Sequence, residues 1–129
     1  MQVATQDRAF TRFAQYWLPV LAYVAVIFGL SAQPNLVVPL HFPNADKVAH
    51  LLEYSVLGIL TVRALRSTRW LAGALAGGLV ALSLGMLVGA SDETFQRLIP
   101  GRESSGLDFL ADAVGLTLAQ VLYLAVRRE

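Results

Sequence analysis

The sequence predicts an all-α membrane protein with four spanning helices, and three observations carry that prediction. Hydrophobic residues make up 56% of the chain and charged ones 15%, against roughly 45–50% apolar and about 25% charged in soluble domains. The excess falls in blocks. No Asp, Glu, Lys or Arg lies between Arg12 and Asp46, from Trp70 to Gly89, or from Ala113 to Val126; from Val48 to Val62 only His50 and Glu53 can charge readily. Each block, with its flanks, supplies the ~20 residues that cross a ~30 Å hydrocarbon core as a helix. None shows the period-2 alternation of barrel strands. The whole chain, 1–129, reads as one domain.

The first helix is expected at about Phe13–Ala32. Arg8 and Arg12 before it and "LSA" at its end outline a signal peptide, but Leu30 fits a cleavage site poorly and the run is long. A retained helix is expected. The following "QPNLVVPLHFPNADK" contains Pro34, Pro39 and Pro43, which prevent a regular helix. Its Leu36, Val37, Val38, Leu40 and Phe42 suit a segment along the membrane surface. The second helix is expected at Val48–Leu65 and the third at Trp70–Ala90. Ile99-Pro100-Gly101-Arg102 has the form of a type II turn, and the fourth helix follows at Leu107–Val126.

Basic residues in short loops favour the cytoplasm. Arg8, Arg12, Arg63, Arg66, Arg69, Arg127 and Arg128 fall on one side; Lys47, Arg97 and Arg102 fall on the other. The expected orientation is N-in, C-in, in the cell inner (cytoplasmic) membrane, with the Pro-rich loop outside. No Cys is present, so disulfide and thiol chemistry are excluded. No cluster of Lys and Arg interleaved with aromatics suggests a nucleic-acid partner; the partner expected is the lipid bilayer.

Seven of the nine acids then gather at the extracytoplasmic ends: Asp46, Glu53, Asp92, Glu93, Glu103, Asp108 and Asp112. Capping accounts for some of them. Asp46 is placed to cap the second helix, and Ser105-Gly106-Leu107-Asp108 has the form of a capping box for the fourth. Glu93 and Arg97 have i,i+4 spacing for a pair if the third helix continues past Ala90. Glu53 and Asp112 escape these explanations. Glu53 lies seven positions beyond Asp46, roughly 10 Å down the axis, and Asp112 lies a turn beyond Asp108. An acid at such depth must find protein or water, which marks a functional site by default.

Helical spacing brings Asp46, His50 and Glu53 onto one face, and Asp108, Asp112 and Gly115 onto another. Gly73, Gly77, Ala81, Gly85 and Gly89 form a small-residue ridge of the kind that lets membrane helices approach. Glu93 is its next member. Three helix ends are thus expected to aim carboxylates at a common point. Such a cluster invites a cationic ligand group, protonated carboxyls or a divalent cation, the one cofactor left open. With a single well-placed His, an oxygen-rich site for Ca²⁺, Mg²⁺ or Mn²⁺ fits better than a multi-His zinc site.

"ADKVAHLLEYSVLG" (45–58) and "DETFQRLIPGRESSGLDFLADAVG" (92–115) resemble the two signatures of the VanZ-like membrane proteins, and "LSAQPNL" (30–36) resembles that family's first loop. The resemblance spans about 30–115. It marks Asp46, Lys47, His50, Glu53, Tyr54, Asp92, Glu93, Gln96, Pro100, Gly101, Arg102, Asp108, Asp112 and Gly115. Phe95 stands where many relatives carry His. The family's founding member is associated with low-level resistance to teicoplanin, and other relatives sit among envelope and surface-polysaccharide functions.

The expectation is therefore an envelope protein whose outward polar pocket binds a lipid headgroup, a lipid-linked envelope precursor or a glycopeptide-like amphiphilic antibiotic. Asp112, Glu53 and His50 would form its floor, while Lys47, Arg97 and Arg102 would meet phosphate oxygens. An enzymatic alternative, a hydrolase or transferase on such a lipid, makes His50 a general base oriented by Glu53, with a cation polarising phosphate or ester. In a structural alternative, the polar residues only lock the helices together.

Overall fold

The computed structural model describes residues 2–127, so Arg128 lies outside the described residues. Its elements are α1 (Gln2–Ser31), α2 (Ala45–Arg66), α3 (Ala74–Leu98) and α4 (Gly106–Val126), with no strand among the described residues. All four helices are long and apolar enough to cross a membrane.

Three boundaries depart from the sequence reading. α1 begins at Gln2, well before Phe13, because nothing in "QVATQDRAFTR" breaks a helix once the apolar run has nucleated it. Its 30 residues reach ~45 Å, longer than the hydrocarbon core. α3 begins at Ala74 because the chain after α2 turns irregularly, tied by an Arg66 Nε bond to the Ala72 carbonyl at 3.1 Å. It then runs to Leu98, past the expected end at Ala90. Its polar last turns stay helical because Asp92, Glu93 and Gln96 are buried against neighbouring helices. At the start of α2 the N-cap is Asn44, at a left-handed φ of 60° and without a side-chain cap bond. Asp46 sits in the first turn and does not cap.

Consecutive helices run antiparallel, so α2 and α4 are parallel, and these two pack most intimately. Ser55 Oγ donates to the Gly115 carbonyl at 3.1 Å. A Cβ on Gly115 would collide with the Leu51 carbonyl, and one on Gly58 would stand 2.7 Å from Ala119 Cβ. α3 crosses this pair on its buried small residues Gly77, Ala81, Gly85 and Gly89, facing Leu116 at Gly85 and both Tyr54 and Asp112 at Gly89. Gly73 is exposed at the N-cap of α3, outside the packed ridge.

α1 packs on α2 and α3 through Val20, Ile27 and Ser31. Phe28 meets Phe95 with ring centroids 5.6 Å apart. The outward faces carry Leu52, Val56, Leu79, Leu87, Val121 and Leu122, exposed as lipid-facing residues must be. Charge is segregated along the bundle. Arg63 lies over the Tyr16 ring and Arg66 over the Tyr123 ring at one end. The described acids other than Asp7, with their partners, occupy the other.

Candidate functional site

The polar end is assembled from the end of α1, the start of α2, the end of α3 and the start of α4. Side chains meet there because four helix ends are level, and the α2–α4 approach at Gly115 sets the spacing. Three sets of contacts result.

The first set is a buried network around Asp92, which is fully shielded. Its carboxylate accepts from Ser31 Oγ, from Tyr54 Oη at 3.2 Å and from Gln96 Nε2 at 3.3 Å. Gln96 also donates to Ser31 Oγ at 3.1 Å. Both Asp92 oxygens thus have donors, and the network ties α1, α2 and α3 together.

The second set lies beside it. His50 Nδ1 stands 2.8 Å from Asp112 Oδ1, so the ring is oriented by an acid from α4 and not by Glu53 on its own helix. Glu93 accepts from Ser104 Oγ, whose hydroxyl also reaches the Glu93 carbonyl at 3.2 Å. Donor atoms of His50, Glu93 and Asp112 all lie within 4.8 Å of one another. Glu93 Oε1 and Asp112 Oδ2 are buried with no hydrogen-bond partner among the described residues. The predicted Glu93–Arg97 pair is not made, since Arg97 is exposed and Glu93 turns inward to Ser104.

The third set lines a cavity of about 600 Å³. One wall is apolar, from Tyr23, Val26, Leu30 and the loop residues Leu36–Pro39; the other carries Asp46, His50, Glu53, Arg102 and Asp108. Lys47 bridges Asp46 at 2.5 Å and Asp108 at 2.8 Å, closing α2 against α4. Of the three basic residues expected at a ligand, Arg102 lines the cavity, Lys47 is held by two acids and Arg97 is outside. Arg102 makes no ion pair among the described residues, and its buried Nε has no hydrogen-bond partner. Glu53 also lines the cavity, and its backbone carbonyl accepts from Tyr23 Oη at 3.0 Å.

Local sequence explains the frame. Ser105 caps α4 by accepting from the Asp108 N–H at 3.2 Å, which leaves the Asp108 carboxylate for Lys47. Gly101 takes φ 81° in the turn, closed by Arg102 N to the Ile99 carbonyl at 3.2 Å, as the Pro-Gly pair predicts. A Cβ there would stand 3.2 Å from Asn35 Oδ1, so the two connections at this end touch. His41 is exposed. Phe95 faces Phe28 of α1, away from the His50–Glu93–Asp112 group.

Sequence reasoning missed Ser31, Ser104 and Tyr23. Ser31 sits inside the quoted "LSAQPNL" and was legible as a hydroxyl level with the acids. Ser104 reads from sequence as a turn residue. Tyr23 had no signal beyond being two turns before Ser31.

A sequence model of the VanZ/LLP1 family matches residues 3–127, covering all four helices and both motif-bearing stretches. No curated protein and no solved structure matches the chain. The chain belongs to the VanZ/LLP1 family and is a multi-pass membrane protein.

Proposed function

We propose that this protein binds an amphiphile in the cavity at the polar end of its bundle. The amphiphile would be a lipid headgroup, a lipid-linked envelope precursor or an amphiphilic antibiotic of the glycopeptide kind. The observation that carries the reading is the two-sided cavity wall. Tyr23, Val26 and Leu30 offer an apolar surface to a chain, and the unpaired Arg102 guanidinium beside Glu53 and Asp46 faces a headgroup. Arg102 suits a phosphate oxygen through its planar fork. The surrounding acids suit an amine or a cation on the same headgroup. In the proposed orientation the termini are cytoplasmic and the cavity opens on the extracytoplasmic side of the inner membrane.

A short-chain fluorescent phosphatidylethanolamine titrated into the full chain in nanodiscs tests the reading. Saturable binding is expected, weakened at least about tenfold by Arg102→Gln and by Glu53→Gln, the scale of one lost charged hydrogen bond. Unchanged binding in both folded variants would sink it. Competition by teicoplanin or by a polyprenyl-phosphate sugar then identifies the source of the amphiphile.

A catalytic reading keeps one supporting observation: the His50–Asp112 pair has the geometry of an oriented general base. Turnover of a bound lipid-linked substrate, lost in His50→Ala, separates it from binding alone.

A further inference from the structure

Behind the polar wall of the cavity, the bundle buries two carboxylates side by side. Asp112 is 0% exposed and Glu93 is 5% exposed. Each retains one oxygen without a hydrogen-bond partner among the described residues. Neither makes an ion pair with Lys47, which is held by Asp46 and Asp108, or with Arg102. Two unneutralised acids inside a membrane helix bundle are costly. His50, the one basic group beside them among the described residues, supplies at most one positive charge.

We propose that His50, Glu93 and Asp112 hold a divalent transition-metal cation of the Zn²⁺ or Mn²⁺ type. One imidazole nitrogen and two carboxylate oxygens, all within 4.8 Å of one another, span little more than an ion with ~2.0–2.2 Å bonds requires. The 2.8 Å between His50 Nδ1 and Asp112 Oδ1 is also a separation that two ligands on one ion adopt. Two carboxylates, a neutral imidazole and M²⁺ sum to zero charge, which a site within the bilayer favours. With an imidazole among the three ligands, the set suits Zn²⁺ or Mn²⁺ better than the all-oxygen Ca²⁺ or Mg²⁺ site that the sequence suggested.

The outer shell is present as well. Ser104 Oγ holds the Glu93 carboxylate. Gly89 leaves room at Asp112, since a Cβ there would stand 3.3 Å from Asp112 Oδ2. Three protein ligands leave coordination positions open. His50 lines the cavity, so an open position toward it would accept a headgroup oxygen; this last point alone rests on the pocket reading above.

The test uses the full chain in detergent, stripped with EDTA and titrated with Zn²⁺ or Mn²⁺ against a fluorescent chelator. One equivalent per chain is expected, with a raised thermal unfolding midpoint. Glu93→Gln and Asp112→Asn are isosteric and keep hydrogen-bonding capacity for Ser104 and His50. Each should weaken uptake by at least the roughly 10–100-fold that loss of an outer-shell partner costs, while Glu103→Gln leaves it unchanged. No uptake by folded protein overturns the site, as does uptake equal in all variants or weakened equally by Glu103→Gln. Phosphatidylethanolamine binding by the stripped protein distinguishes the two failures. A pocket that binds lipid without taking up metal refutes the cation alone, and one that takes up metal without binding lipid refutes the amphiphile alone.

Discussion

Gly115 shows how one missing side chain sets the geometry of the polar end. A Cβ at this position would collide with the Leu51 carbonyl and approach Leu51 C and Ser55 N at 3.1 Å, all backbone atoms that cannot swing aside. Gly115→Ala must therefore push α4 from α2, and His50 and Asp112 sit on those same two helices. The expected cost is about 1–3 kcal/mol, the scale of overpacking, read as a lower unfolding midpoint in detergent. Gly29→Ala is the control: nothing lies within 4 Å of its added Cβ, so the midpoint should hold or rise. Asp92 and Asp112 differ in a way their identical chemistry conceals. Asp92 has donors on both oxygens, whereas Asp112 has only His50. Depth in the helix separates Asp112 and Glu53 from the residues that capping explains, and Asp112 meets His50 while Glu53 lines the cavity. The choice of Asp112 over Glu53 as the His50 partner was not legible, because it depends on which helix stands opposite.

At the scale of elements, α1 is the least integrated. It packs on α2 and α3, and much of its surface, including Leu18, Leu21 and Val26, is exposed. Pro19 lies within it and removes one helical N–H. α2 and α4 are joined from their polar ends to their middles by Lys47–Asp108, His50–Asp112, Ser55–Gly115 and Gly58–Gln120 contacts. Local opening follows the density of such contacts. In detergent micelles, amides in the middle of α1 should exchange with deuterium ahead of those in the middle of α2 and α4; equal protection would refute that hierarchy. Element number and type were readable from the apolar blocks, since each block must satisfy its own backbone inside the bilayer. The ends were read less well. Charged residues such as Asp92 and Glu93 look like the end of a span, and burial against α1, α2 and α4 keeps them helical.

Across the whole molecule, most of the acids gather at one end of the bundle and most of the arginines at the other, and the proposed N-in, C-in orientation turns that separation into a measurable asymmetry. The chain contains no Cys, so single cysteines can be introduced without background. A cysteine replacing Glu103, in the α3–α4 connection, should react with an impermeant maleimide added outside cells. One replacing Trp70, in the exposed α2–α3 connection, should react only after the membrane is opened. The reverse pattern would invert the orientation and place the cavity on the cytoplasmic side.

The amino-acid sequence by itself determined the four apolar spans, the Pro-Gly turn, the Ser105 cap and the small-residue ridge, because each depends on spacing within one segment. It also placed the polar residues at one end, since alternate helices reverse direction. Only the tertiary structure decided which of them meet. His50 with Asp112, Glu93 with Ser104, Asp92 with Ser31 and Tyr54, and Arg102 at the wall of a cavity are all contacts between elements. They depend on the rotation and separation of neighbouring helices, which are set by backbone approach at Gly58, Gly89 and Gly115 and not by the periodicity of any one helix alone.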